Sequence, residues 1–270
     1  MGDRLVSLAA GTVLDVGPAD AVAVASASGW PAVGLWFDPA TWTDATTREV
    51  HRRLGDTGVI AFDIEPVILG RGDDGRSGND GDGGERMLDT AAALGVPYVL
   101  MASGGADDDR VTERLTQLCA YGEAHAPGVR IVLEFLPIFS VASLAQALAI
   151  VRRTERPEAA VLVDILHLAR SGGVPDDLIG VEPNLLPYLQ LADATATGPT
   201  DFAGLRDEAL HGRLLPGDGE LPVARVLALV PDVPVSVELR SRALMSAHPD
   251  PVERARAVLA ATRRVIAAAD

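Results

Sequence analysis

Residues 160–165 read AVLVDI. An apolar run of this kind, interrupted only by Asp164 near its end, suits a strand buried on both faces. The pattern recurs on either side. RIVLEF (130–135) carries Glu134, YLQLAD (188–193) carries Gln190 and Asp193, and VSVEL (235–239) reaches Glu238. An ionised carboxylate in a buried strand is costly unless something positive compensates it. A divalent cation held at the ends of several parallel strands supplies that compensation and points to an enzyme.

Four further runs have strand character: LVSLAA (5–10), AVGLWF (32–37), VIAFDIEP (59–66) and YVLMAS (98–103). Helical stretches are expected between them at 18–28, 44–56, 84–95, 110–126, 141–153, 176–187 and 222–230, with a last helix at 251–268. Eight strand–helix units in 270 residues predict an α/β chain folded as a single (β/α)8 TIM barrel over residues 1–270. A doubly wound open sheet is the alternative, but no G-x-G-x-x-G turn follows the first strand. The segment GRGDDGRSGNDGDGG (70–84) is too polar and glycine-rich to pack a core. It is expected to be a flexible surface loop after the third strand, where a lid would sit. An EF-hand reading fails for want of the closing Glu.

Composition excludes several function classes. The formal net charge is −15, which repels a phosphate backbone, so no nucleic-acid partner is expected. The arginines at 152, 153 and 156 read as a solvated helix end. No lysine occurs, which rules out a Schiff-base lysine, a lysine-anchored pyridoxal phosphate and a P-loop. The single cysteine, Cys119, suits a reducing cytoplasm. The start shows neither a signal peptide nor the full myristoylation pattern, and no apolar run is long enough to span a bilayer, so no membrane partner is expected.

In a barrel the active site forms where strands end. Glu134, Asp164, Gln190 and Glu238 then point four oxygen ligands at one place. Three carboxylates and an amide form an all-oxygen set, which favours Mg²⁺ or Mn²⁺ over Zn²⁺. An ion there would polarise a carbonyl, and a nearby Glu would move a proton at the adjacent carbon. Each acid alone also has a structural reading, as a helix cap or an arginine partner. Glu65, at the end of strand three, either faces the pocket as a substrate contact or caps a helix. Trp36 either stacks on a substrate or packs as a core ring.

The segments VLEFLP, LVDILHLARSGG, LQLADA, RLLPGDGELP and VSVELRS, in this order, resemble the xylose-isomerase-like TIM-barrel superfamily. That group contains sugar phosphate isomerases and epimerases, inosose dehydratases and type-two apurinic endonucleases. The resemblance implies that Glu134, Asp164, Gln190 and Glu238 bind one divalent metal ion, with Glu134 and Glu238 as acid and base on opposite faces of the substrate. It makes His167 a substrate contact or proton shuttle, against a hydrogen-bonded core histidine. It makes Arg213 the substrate-binding arginine, with His211 a less certain second contact. PGDGELP reads as a turn that positions Arg213.

Two departures bear on the reaction. Many members carry His where Gln190 stands. Bacterial 3-dehydroshikimate dehydratases share the Gln and the ADA run, yet they are expected to carry a basic residue soon after the strand-five Glu, and FLPIFSV offers none. The leading expectation is a metal-dependent isomerase or epimerase of a small keto sugar or sugar phosphate. The alternative is a dehydratase of the 3-dehydroshikimate or inosose type. A non-catalytic binding protein is disfavoured by the intact ligand set, and an endonuclease by the five histidines and the acidic surface. Barrels of this kind often pair, so a homodimer is compatible with the sequence.

Overall fold

The computed structural model describes residues 4–70 and 81–269. Eight strands close into one parallel barrel in chain order. They are β1 (Val6–Leu8), β2 (Ala32–Trp36), β3 (Ile60–Ile68), β4 (Tyr98–Ala102), β5 (Arg130–Glu134), β6 (Ala159–Asp164), β7 (Leu189–Leu191) and β8 (Val235–Val237). β8 pairs with β1, with Val6 opposite Val235. The fold is the expected (β/α)8 TIM barrel. Most of the expected loop at 70–84 lies outside the described residues; within them, a helix begins at Gly83.

Side-chain alternation explains how apolar strands deliver carboxylates to the barrel axis. In β6, Val161 and Val163 pack outward against the helices, while Ala160 and Leu162 belong to the interior cluster. Asp164 continues the inward set two residues on. In β5, Ile131 and Leu133 face out, Val132 faces in, and Glu134 follows Val132. Tyr188, Phe62 and Tyr98 close the lower interior, with ring centroids 5.0 to 5.3 Å apart.

The helices are α1 (Pro18–Ser28), α2 (Asp44–Thr57), α3 (Gly83–Leu94), α4 (Asp108–His125), α5 (Leu144–Arg153), α6 (Ile165–Arg170), α7 (Phe202–His211), α8 (Val223–Leu229), α9 (Arg242–Ala247) and α10 (Pro251–Ala269). Their starts follow local capping: Thr43 and Thr46 form a reciprocal box at α2, and Asp107, Ser143 and Asp201 cap α4, α5 and α7. One expectation fails. Residues 176–187 form no α-helix but two short 3₁₀ turns, Pro175–Leu178 and Pro183–Leu185. Gly180 adopts a positive φ of 82° and Pro183 and Pro187 interrupt the hydrogen-bond ladder, so the helix cannot propagate. Helices α6, α7 and α9 were not expected; two have only six residues, too few to show a periodic stripe. Among the described residues no helix is long and apolar enough to cross a membrane.

Candidate functional site

A cavity of about 340 Å³ opens at the C-terminal end of the barrel. Glu65, Glu134, Glu238, His167 and Arg213 line it, and Trp36 stands at its edge, where it also borders a second cavity. Asp164 lies fully buried beside them. Gln190 pairs in register with Asp164 on one side and Ser236 on the other, but is not among the lining residues. His211 does not line the cavity; it sits at the end of α7 among Asp207, Arg206, Arg240 and Arg242.

Asp164 combines both structural roles foreseen for a strand-end acid. Its Oδ1 accepts from the backbone N–H of Leu166 at 2.7 Å and of His167 at 3.3 Å, capping α6. Its Oδ2 accepts from Arg213 Nη1 at 2.5 Å. Arg213 Nη2 lies 3.0 Å from Glu238 Oε2, and Arg213 Nε donates to the Ala209 carbonyl at 2.9 Å. One buried guanidinium therefore ties the ends of β6 and β8. Burial alone would raise the Asp164 pKa, but Arg213 and His167 outweigh it and hold the carboxyl below its ordinary value.

The backbone around Arg213 is fixed by Asp193. Leu214 donates its N–H to the Asp193 carbonyl at 2.8 Å, and the Asp193 carboxylate accepts from the N–H groups of Gly217, Gly219 and Leu221 at 2.9, 3.1 and 3.0 Å. The PGDGELP segment is thus a turn stapled by a strand-end acid, and Asp193 is a structural residue. Close approach matters at Gly11, where a Cβ would sit 2.3 Å from Glu238 Oε1. Only glycine leaves room for the Glu238 carboxylate there.

The electrostatics are dominated by buried acids. Burial pushes Glu134 and Glu65 well above the usual carboxylate range, and Glu238 adds to both shifts. Burial lowers His167 to about 4, so its imidazole is neutral near pH 7. His167 Nε2 lies 3.9 Å from Glu134 Oε1 and 3.5 Å from Arg213 Nη2.

Below this ring is a second polar layer. Asp63 on β3 is fully buried, and neither of its carboxylate oxygens has a hydrogen-bond partner among the described residues. The same holds for the hydroxyls of Ser7, Ser236 and Tyr188 and for both amide atoms of Gln190. Burial raises Asp63 to about 7; the neighbouring Ser236 and Tyr188 hydroxyls pull the other way without reaching hydrogen-bond geometry. Gly34 makes room for it, since a Cβ there would lie 2.2 Å from Asp63 Oδ1.

The donor set fits a divalent ion. Glu134, Asp164 and His167 each place one ligand-type atom within 4.8 Å of the others. Buried carboxylates outnumber the one guanidinium bonded to them, and the Gln190 amide oxygen is unpartnered. Of the sequence-derived ligand set, Glu134 and Asp164 fall in this group. Glu238 lines the same cavity but is held by Arg213, and Gln190 stands deeper.

Sequence reasoning passed over Arg206, Arg240 and the apolar wall of Leu136, Ile138 and Phe139, all of which line the cavity. Arg240 follows Glu238 by two residues, so strand alternation signals it. Arg206 lies on α7, which has no strong apolar stripe to announce it.

The family model described as a xylose isomerase-like TIM barrel matches residues 22–266. The chain belongs to the xylose isomerase-like TIM-barrel family. No curated protein matches the sequence significantly. Among solved structures, the IolI protein with a bound zinc atom is 18% identical, with a TM-score of 0.83 and 99% of each chain covered. A xylose isomerase-like TIM barrel/4-hydroxyphenylpyruvate dioxygenase fusion protein is 22% identical, with a TM-score of 0.79. The match covers 96% of this chain and spans 42% of the fusion protein's length. The 3-keto-D-glucoside 4-epimerase YcjR from E. coli is 15% identical, with a TM-score of 0.73, covering 97% of this chain and all of that one. At these identities the likeness concerns the fold.

Proposed function

We propose that this chain is a divalent-metal-dependent isomerase or epimerase of a small keto sugar or sugar phosphate. The observation that carries the reading is the pair Glu134 and Glu238, both buried and both opening on one cavity from β5 and from the end of β8. Glu134, Asp164 and Glu238, with Gln190 or His167, are the residues to hold the ion, and Mg²⁺ or Mn²⁺ suits their oxygens best. When bound, the ion supplies Lewis-acid polarisation of a substrate carbonyl. Glu134 and Glu238 then take and return a proton at the carbon beside that carbonyl. Burial and the neighbouring Glu238 and Asp164 charges favour the protonated form of Glu134 more than in a free carboxylate. Arg213 fixes Glu238 and Asp164 in place, and Leu136, Ile138 and Phe139 give the cavity an apolar wall.

The second reading is a dehydratase that uses the same proton abstraction and expels a hydroxyl as water. Its candidate donor to the leaving hydroxyl is the N–H of the neutral His167 imidazole, whose Nε2 stands 3.9 Å from Glu134 Oε1. The test is proton NMR in D₂O with Mg²⁺ or Mn²⁺ and a panel of ketoses, ketose phosphates, an inosose and 3-dehydroshikimate. Deuterium entering beside the carbonyl without loss of water is the expected result. An alkene or aromatic product would replace the isomerase reading with the dehydratase. The acidic surface is consistent with a small-molecule enzyme of the cytoplasm that binds neither nucleic acid nor membrane.

A further inference from the structure

Among the described residues three arginines line the cavity, and of these Arg213 alone bonds acids within it. Arg206 lies on α7, on the same helical face as Ala209 and Leu210, which also line the cavity. Arg240 continues the inward set Ser236, Glu238, Arg240. Neither guanidinium forms a hydrogen bond or ion pair with another described residue. The acids nearest Arg206 in sequence are already engaged. Asp207 pairs with Arg242 at 3.0 Å, and both Glu208 oxygens accept from Arg170, at 2.6 and 2.7 Å. Glu238, nearest to Arg240 in sequence, bonds Arg213 instead.

The two guanidinium groups are also electrostatic neighbours. Burial lowers the Arg240 pKa, the Glu238 and Glu65 carboxylates raise it in part, and the charges of Arg213 and Arg206 lower it. The cavity acids compensate Arg240 only through space, with no direct bond among the described residues, so a substrate anion between Arg206 and Arg240 would relieve their mutual repulsion and meet both directly. The remaining wall is carbon: Leu136, Ile138, Phe139 and Ile68. A neutral sugar with hydroxyls all round would leave some of them unpaired against that surface. A molecule with its ketone at the carboxylates, a carbon face on Phe139 and an oxyanion at the far side leaves fewer unpaired groups.

We propose that Arg206 and Arg240 form an oxyanion-binding subsite, so that the substrate is a hydroxy-ketone bearing a carboxylate or phosphate and not a neutral sugar. This rests on the reading of the cavity as the catalytic pocket. It also gives the planar guanidinium groups the paired acceptors they suit. Arg206 and Arg240 determine specificity and carry no proton.

The test is calorimetric binding to the Mn²⁺-loaded full chain, using two pairs of probes. One pair is a ketose phosphate and the free ketose; the other is 3-dehydroshikimate and its methyl ester. The anionic member of at least one pair is expected to bind tenfold or more tightly than its neutral partner, with affinity falling as salt rises. Which pair shows the gap separates phosphate from carboxylate. Arg206→Gln and Arg240→Gln are each expected to weaken the anionic probe by roughly tenfold to a hundredfold and leave the neutral one unchanged. Arg240→Lys, which keeps the charge, recovers part of the loss and guards against a folding defect, as does an unchanged melting temperature. Equal or undetectable binding within both pairs overturns the subsite, as do substitutions that weaken both members alike. Deuterium exchange into a neutral ketose that is indifferent to the double substitution overturns the subsite and leaves the proton-transfer reading standing. Anionic preference without any exchange does the reverse.

Discussion

Arg213 and Asp164 meet at 2.5 Å in the barrel interior, with 2% and 0% of their respective surfaces exposed. The same guanidinium reaches Glu238 at 3.0 Å. Replacing Arg213 by Met leaves a buried carboxylate without its cation, which is expected to cost about 3–5 kcal/mol in urea denaturation. Mn²⁺ is expected to restore part of that loss, because a divalent ion compensates the same acids. Arg213→Lys is expected to fall between, since one ammonium cannot serve both oxygens as a planar fork does. Wild-type stability in Arg213→Met would show that the pair is not formed.

Asp63 sets a pH dependence of opposite sense to the usual carboxylate. Its folded-state pKa is raised from 3.8 to about 7 by burial. Stability from the neutral acid is therefore present at low pH and is lost as pH rises through this window. Asp63→Asn is expected to stabilise the protein at pH 8 by on the order of 2–4 kcal/mol relative to wild type, and to have little effect at pH 4. Thermal melts of the two proteins across that range measure the difference. A variant equally destabilised at both pH values would show that Asp63 ionises with a partner.

Asp193 holds the turn behind Arg213 through three backbone N–H groups beyond its neighbour Ala194. Asp193→Ala is expected to cost about 2–4 kcal/mol, since it leaves those donors without acceptors. It is also expected to loosen Arg213 and lower kcat more than it raises KM. Hydrogen exchange should show faster amide exchange at Gly217 and Gly219. Unchanged protection there would remove the staple.

The strands were legible because each is an apolar run of the length a buried parallel strand needs, and observed and expected bounds differ by a few residues at most. The inward acids were legible for the same reason: a lone carboxylate in IVLEF or VLVDI stands out against its neighbours. Residues 176–187 are not a helix because Gly180 takes a positive φ and Pro183 and Pro187 lack the N–H a helix needs, limits that single residues impose whatever the strand–helix rhythm around them. Asp193 looked like Asp164 in sequence, each closing an apolar run; what separates them is that Asp193 meets the Gly217–Leu221 turn and Asp164 meets Arg213. Such long-range partners carry no local signal. Arg206 was hidden likewise, because a helical arginine is ordinarily solvated and only the closure of the barrel places it at the cavity.

The most direct measurement is a calorimetric titration of Mn²⁺ into the metal-stripped protein, with Glu134→Gln and Asp164→Asn alongside. One equivalent is expected to bind the wild type, with each substitution weakening it tenfold to a hundredfold or more. The double substitution is expected to abolish binding. Wild-type stoichiometry and affinity in both single variants would contradict a metal centre built on the ends of β5 and β6.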